Sequence, residues 1–393
     1  MRMRSHISSQ PSTRSIGQLP LRLRIAQVVP LHVAVPPRKY GGTERVVHNL
    51  AEALVRLGQD VTLFATGNST TSAQLISMRE HDIFFDSEVD AAAHHVAMLH
   101  EIYTRYASDF DVIHSHLDYM TLPFLHLTHT PTVLTLHGRL DKPEWRHVFG
   151  EYPDKHYVSI SYDQRRHLSV PDMNWIATVY HGLDIESFTF YARPGDYLCF
   201  VGRMSAEKRP DLAIAVAKRC GIKLKVAAKV DHKEEEYFKK RILPLMDHPL
   251  IEWLGEVDEP SKRELMGNAL ALLMPIDWPE PFGMAFIEAL ACGTPVITCP
   301  HGSVPEILRD GLTGFSGCTE DELVAAVKKL PFISRQACRT YARRRFDRRR
   351  MALDYMRVYT QVLGRHDLLG QIGQLGPFAP GAADDAIGGV ALP

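Results

Sequence analysis

The sequence has little of what marks several common protein classes. None of its six cysteines, Cys199, Cys220, Cys292, Cys299, Cys318 and Cys338, forms a CxxC pair, and all lie in the second half of the chain. Several sit in apolar strand or helix patterns, so they read as buried thiols of a reducing compartment. Net charge is also lacking: 45 basic residues face 46 acidic ones over 393 residues. No global field therefore argues for nucleic acid or a membrane surface. No apolar run is long enough to span a bilayer. The first twenty residues are Arg/Ser-rich but carry no signal-peptide apolar core; they read as a disordered extension or a start site placed too early, with a transit peptide as the alternative. No GxGxxG follows the first strand of either half, which weakens a dehydrogenase reading, and the absence of GxxxxGK[ST] argues against a P-loop kinase or ATPase.

What is present is ordinary globular material. The chain is 45% hydrophobic and 23% charged, and its length suggests two or three domains. Short β-rich runs alternate with amphipathic helical runs almost throughout. In the first half the strands are expected at 24–29, 61–66, 111–116, 132–137, 156–161 and 176–182, with a helix from about Thr43 to Leu57. After Gly182 the pattern weakens, as in a linker. It restarts with strands at 197–202, 222–228, 251–255, 271–276 and 294–299. The expectation is α/β, with two Rossmann-like domains in tandem and a ligand beyond the carboxyl ends of the strands. The Gly/Ala/Pro-rich stretch from about Arg365 reads as disordered.

Three stretches offer chemistry. In KYGGTERVV, Gly41 and Gly42 precede the first long helix. They are either a plain turn, with Thr43 as N-cap, or a loop whose backbone approaches an anionic ligand. In GRMSAEK, Arg203 lies just past the first strand of the second domain and Lys208 near the following helix. Such residues are commonly plain surface cations, but here they would suit a diphosphate. In WPEPFGMAFIEALACGTPV, Glu280 sits on a loop and Glu288 just over one turn into an apolar helix. A buried lone carboxylate costs several kcal/mol unless its oxygens are paired. The vicinal hydroxyls of a sugar or ribose would pair them.

Two other patterns invite a metal. His114 and His116 share one strand face, but no third ligand is evident. Asp109-Phe110-Asp111 is formally a DxD, yet it reads as polar punctuation before a strand.

The run E-P-F-G-x-x-x-x-E followed by A-x-G-T-P-V resembles the signature of retaining family-4 glycosyltransferases, which have the GT-B fold. YGGTERVV, DVIHSH, LTLHG, VYHGLD, VGRMSAEK and HGSVPEILRDGLTGF occur in the matching order, from about Arg24 to Leu363. The resemblance implies two Rossmann-like domains facing across a cleft, with a C-terminal helix crossing back to the first domain. On that scheme residues 1–20 are an extension, 21–182 the acceptor domain and 183–196 the linker. Residues 197–345 form the nucleotide-sugar domain, 346–365 the crossing helix and 366–393 the tail.

The resemblance also implies roles. Glu288 would bind the donor ribose and Glu280 a hydroxyl of the transferred sugar. Backbone N–H groups of Phe282, Gly283 and Met284 would lie beside sugar and phosphate. Arg203 and Lys208 would neutralise the diphosphate leaving group, which Gly41 and Gly42 would cap. His137 would orient or polarise the reacting groups. The implied reaction is retaining transfer of a hexose, foremost glucose from a UDP-sugar, to an unidentified hydroxyl, with no cofactor, no metal and no nucleic-acid partner. The implied location is cytoplasmic, with peripheral contact at the inner membrane face open through the basic run 339–350. A non-catalytic nucleotide-sugar binder, and an epimerase or hydrolase of the same architecture, are the alternatives. A retaining hydrolase needs its two carboxylates about 5–5.5 Å apart across a sugar bond. Glu280 and Glu288 in one loop–helix unit suit a nucleotide sugar better.

Overall fold

The computed structural model describes residues 22–39, 41–83 and 89–365, together with residue 372. The extension expected at 1–20, Tyr40 and nearly all of the tail expected at 366–393 lie outside the described residues. Two parallel sheets make up the fold. The first contains β1 (Arg24–Val28), β2 (Asp60–Thr66), β3 (Gln74–Arg79), β4 (Val112–Ser115), β5 (Thr132–Thr135), β6 (His156–Ser159) and β7 (Trp175–Thr178), in the order β3-β2-β1-β4-β5-β6-β7. The second contains β8 (Tyr197–Arg203), β9 (Lys223–Lys229), β10 (Ile251–Gly255), β11 (Ala271–Met274), β12 (Val296–Thr298) and β13 (Gly314–Ser316), in the order β10-β9-β8-β11-β12-β13.

Each sheet reverses its strand order once, between β1 and β4 and between β8 and β11. In open parallel sheets a crevice forms at that point, beyond the carboxyl ends of the strands. Burial on both faces explains the composition of the central strands. Ile25, Ala26 and Val28 are fully buried, and so are Leu198, Cys199 and Phe200. Gln27 is an exception in type: it is a fully buried amide in the middle of β1.

The edge strands β3 and β13 were not expected. β3 is half-exposed and β13 spans three residues, so neither carries the continuous apolar run that identifies a buried parallel strand. Thr43 is not the N-cap of the helix Gly42–Arg56. Gly41 occupies that place, with φ 149°, and no side chain caps the helix.

The chain passes between the two sheets twice, side by side. Leu183 N–H donates to Phe346 O and Arg348 N–H donates to Leu183 O, both at 2.8 Å. At Asp347 the helix Arg335–Phe346 ends and the helix Arg348–Val362 begins, with the Asp347 carboxylate accepting from Arg349 N–H at 2.7 Å. The first of these helices packs on Met284–Cys292 of the second domain, and the other on Gly42–Arg56 of the first.

The basic run 339–350 is only partly a solvated helix face: Arg343, Arg344 and Arg349 are exposed, whereas Arg339, Arg348 and Arg350 are buried. Arg339 donates to Phe188 O at 2.8 Å and also reaches Ala291 O. Arg348 pairs with Asp184 at 2.6 Å. Arg350 donates to Asp354, Tyr180 O and His181 O at 2.9, 2.7 and 2.8 Å. These three arginines satisfy carbonyls and carboxylates where the chain crosses, so part of the charge that suggested membrane contact is used inside the protein. No described helix is long and apolar enough to cross a membrane. Cys318 also departs from expectation, being the exposed member of the six cysteines.

A Cβ added at Gly182 would lie 2.9 Å from Arg348 Cα, Asp347 O and Met351 Cβ. Gly182→Ala should therefore push the two crossings apart and lower stability by about 1–3 kcal/mol in urea unfolding. Gly150→Ala meets nothing within 4 Å and should not destabilise the protein.

Candidate active site

A cleft of about 590 Å³ lies where the carboxyl ends of the two sheets meet. Gly41, Gly42, His137, Arg203, Lys208, Glu280, Phe282, Gly283 and Met284 all line it. Glu288 lines an adjoining cavity of about 170 Å³, which shares Gly41, Gly42, Gly202, Met284 and Ala285 with the cleft. The ten residues singled out from the sequence are thus gathered around two connected spaces.

The second-domain wall is built from two turns. β8 ends in Arg203, whose guanidinium donates to Glu207 at 2.6 Å. A single 3₁₀ turn, Ala206–Lys208, then precedes the helix Pro210–Cys220, so Lys208 stands ahead of that helix rather than in it. Its ammonium is buried in an ion pair with Glu280 and lies 4.8 Å from the centre of the Trp278 ring. After β11 the chain turns through Glu280–Gly283 into the helix Met284–Cys292. Gly283 has φ 87°, and a Cβ there would lie 2.4 Å from the Phe286 ring. Only glycine meets both demands. The turn aims the start of this helix, with N–H groups that have no intrahelical acceptor, at the cleft.

Glu288 is buried and already partnered. Lys262 Nζ lies 2.9 Å from one carboxylate oxygen, and Arg45 Nε lies 3.7 Å from the other. The reading that its partners arrive only with a ligand is corrected here: a charge buried to this depth needs a counter-charge in the free protein as well. Arg45 comes from the first-domain helix and also pairs with Glu259 at 2.9 Å, so this network spans the two domains. Arg139 bridges them a second time, 3.3 Å from Glu207 and 5.2 Å from the Trp278 ring centre.

The first-domain wall contains a polar relay. His137 follows β5, and its Nε2 lies 2.9 Å from His116 Nδ1. His116 Nε2 lies 2.8 Å from Gln27 Oε1, and the Gln27 amide donates to the Tyr359 hydroxyl at 3.1 Å. That hydroxyl reaches His114 Nδ1 at 2.7 Å. With the Gln27 oxygen facing it, His116 carries its proton on Nε2 and accepts from His137 Nε2–H. This leaves His137 Nδ1, which has no partner among the described residues, as an acceptor. Burial pulls the His137 pKa down to about 3, so the ring is neutral at ordinary pH. His181 stacks on it at 5.2 Å and touches Phe282 at 4.6 Å, which joins the relay to the signature turn.

The metal readings of the first half do not survive this geometry. His114 and His116 use their ring nitrogens within the relay. Asp111 holds Arg24 at 2.8 Å.

Arg45, Arg139, Lys262 and Glu44 were not singled out from the sequence. Glu44 also lines the cleft, in the first turn of the helix Gly42–Arg56. Burial raises its pKa to about 7, against smaller opposing effects of its own backbone N–H and Arg45. An acidic residue there reads as an ordinary complement to a helix dipole, so only its burial distinguishes it.

Two parallel α/β domains around a shared cleft, each offering the carboxyl edge of its sheet, define the GT-B class of fold. The chain belongs to the family-4 glycosyltransferases: residues 40–187 match the family description "Glycosyltransferase Family 4" and residues 191–345 match "Glycosyl transferases group 1". A phosphatidyl-myo-inositol mannosyltransferase of Mycobacterium leprae is 26% identical over 374 residues, covering 86% of this chain and 97% of its own. A glycogen synthase of Mycobacterium tuberculosis is 26% identical over 352 residues, covering 75% and 83%. Among solved structures, sucrose-phosphate synthase from Thermosynechococcus elongatus superposes with a TM-score of 0.73 at 17% identity, covering 87% of this chain and all of its own, 100%. Anabaena HepE in complex with UDP and glucose gives 0.65 at 16% identity, covering 86% and 100%. At these identities the structures speak to the fold alone.

The raised pKa of Glu44 has a stability consequence. A carboxyl raised from 4.5 to about 7 on folding contributes stability that is full below pH 4.5 and is lost as the pH climbs to about 7. Relative to Glu44→Gln, the wild type should lose up to roughly 3 kcal/mol between pH 4.5 and 8. Urea unfolding of both proteins at pH 5 and pH 8 measures this; a pH-independent difference would contradict it.

Proposed function

We propose that the protein transfers a hexose, foremost glucose, from a nucleoside diphosphate donor, foremost UDP-linked, to a hydroxyl acceptor with retention of configuration. The observation that supports this most is the single turn–helix unit that sets Glu280 in the main cleft and Glu288 in the adjoining recess. Two carboxylates so placed suit the two ends of one donor, not the two sides of one bond. Glu288 takes the ribose hydroxyls, with Lys262 and Arg45 beside its carboxylate. Glu280 takes a hydroxyl of the sugar, and His137 Nδ1 accepts from another group of donor or acceptor. The fold of HepE with UDP and glucose is compatible with that donor class.

Negative charge grows on the leaving diphosphate as the glycosidic bond breaks. Arg203, Lys208, the Gly41-Gly42 loop and the start of the helix Met284–Cys292 stabilise it there, and preorganised donors act most strongly where charge develops. His137 is too weak a base to carry the acceptor proton far, which suits proton transfer to the leaving phosphate. Transfer needs no added Mg²⁺ or Mn²⁺. The two domains close on the donor about the paired crossings at Leu183 and Asp347.

Lys208→Ala and Glu280→Ala should each lower turnover about 100- to 1,000-fold. Glu288→Ala should weaken UDP binding by roughly 1.5–3 kcal/mol in calorimetry. Because either truncation at the Lys208–Glu280 pair leaves a buried charge, the double variant Lys208→Met/Glu280→Gln separates lost chemistry from lost folding. The assay follows UDP release and product formation from a panel of nucleotide sugars and acceptors. Wild-type rates in properly folded single variants would remove these residues from the mechanism.

A further inference from the structure

Three neighbouring strands of the second sheet end close together. β12 leads into Cys299 and His301, β13 into Cys318, and β11 into Asp277. His301 N–H donates to Cys299 O at 2.9 Å, a tight turn around Pro300. The ligand-type atoms of Cys299, His301 and Cys318 all lie within 4.8 Å of one another. His301 Nε2 is 3.9 Å from Cys318 Sγ and 4.0 Å from Asp277 Oδ1. None of these four residues lines the cleft, and the transfer proposed above uses none of them.

We propose that Cys299, His301 and Cys318, with Asp277 as fourth ligand, bind a divalent metal ion of the zinc class as a structural clip. Tetrahedral coordination with metal–sulfur bonds of about 2.3 Å and metal–nitrogen bonds of about 2.0–2.1 Å sets ligand atoms roughly 3.5–3.8 Å apart. The 3.9 Å between His301 Nε2 and Cys318 Sγ is already close to that spacing. Two sulfurs and an imidazole select zinc-like ions over Mg²⁺ and Ca²⁺, which take oxygen ligands. On binding, two thiols lose their protons and two metal–sulfur bonds form, with no change of oxidation state. Two thiolates and a carboxylate outweigh the dication by one charge. Arg209, 3.6 Å from the second Asp277 oxygen, offsets it.

The clip would act on the loop that carries Glu280. Ser303 N–H donates to Glu280 O at 2.9 Å, and a Cβ at Gly302 would lie 2.2 Å from Glu280 N. His301 is therefore two residues from a backbone contact with Glu280, and Asp277 is three residues before it in sequence. A metal would tie both approaches together. The pairing of CPH with a cysteine seventeen residues later is not a standard zinc spacing, which is why the sequence alone did not reveal it.

The test uses full-length protein, reduced with a phosphine, stripped with chelator and titrated with Co²⁺ and then Zn²⁺. The expected result is a thiolate-to-cobalt charge-transfer band with the intense d–d bands of a tetrahedral site, both abolished by Zn²⁺. Cys318→Ser and His301→Asn should weaken Co²⁺ binding at least about 100-fold, and Asp277→Asn about 10-fold. Cys318 is exposed, so its variant should fold; circular dichroism checks this, and His301→Asn provides an independent readout. Zn²⁺ should raise the melting temperature of the wild type and not of these variants. Absence of the cobalt bands in reduced wild type, or unchanged bands in both variants, would overturn the proposal. So would a Cys299–Cys318 disulfide forming on oxidation of a protein that binds no cobalt when reduced.

Discussion

A carboxylate buried among apolar side chains must be met by a cation, and the cleft is organised around that demand. Glu280 is met by Lys208 and Glu288 by Lys262 and Arg45. Neither pair is local: the partners come from different turns and, for Arg45, from the other domain. Removing one member would strand a charge where water cannot reach it. The consequence is a site held in register before any ligand binds. Each carboxylate keeps one strong partner and still has oxygen lone pairs to offer to hydroxyl groups.

Parallel topology explains why these groups meet at all. In both sheets the strand order reverses beside the first strand of the domain; the chain leaving β1 there carries Gly41-Gly42, with His137 one strand further on after β5, and the chain leaving β8 and β11 carries Arg203 and Glu280. The two chain crossings, locked to each other at Leu183 and Arg348, set how the two edges face. Arg45 and Arg139 then bridge the gap with ion pairs, beside the packing of Tyr180 and His181 on Phe282.

The polar relay from His137 through His116 and Gln27 to Tyr359 gives the last helix a second function beside packing. It fixes which ring nitrogen of His137 is left as an unpaired acceptor among the described residues, using a buried amide in the centre of β1. A buried glutamine there weakens no core as long as both its oxygen and its nitrogen are bonded, as they are. Once folded, the tautomer of a cleft residue depends on a helix more than two hundred residues away in sequence.

Much of the architecture was legible from local pattern. Alternation of β-rich and helical runs determined two parallel sheets, because a buried strand must be apolar along its whole length. The spacing of Glu280 and Glu288 determined that one would sit in a turn and the other inside a helix, because helical geometry is local. The edge strands β3 and β13 escaped because half-exposed strands need not be apolar. Only the tertiary structure decided that Arg45 and Lys262 hold Glu288, that Glu44 faces the cleft, that Arg139 spans it, and that Arg339, Arg348 and Arg350 of the basic run point inward. Those residue types are common on any helix surface. What distinguishes them is the loss of water around them and the charge brought beside them, and both are properties of the folded chain.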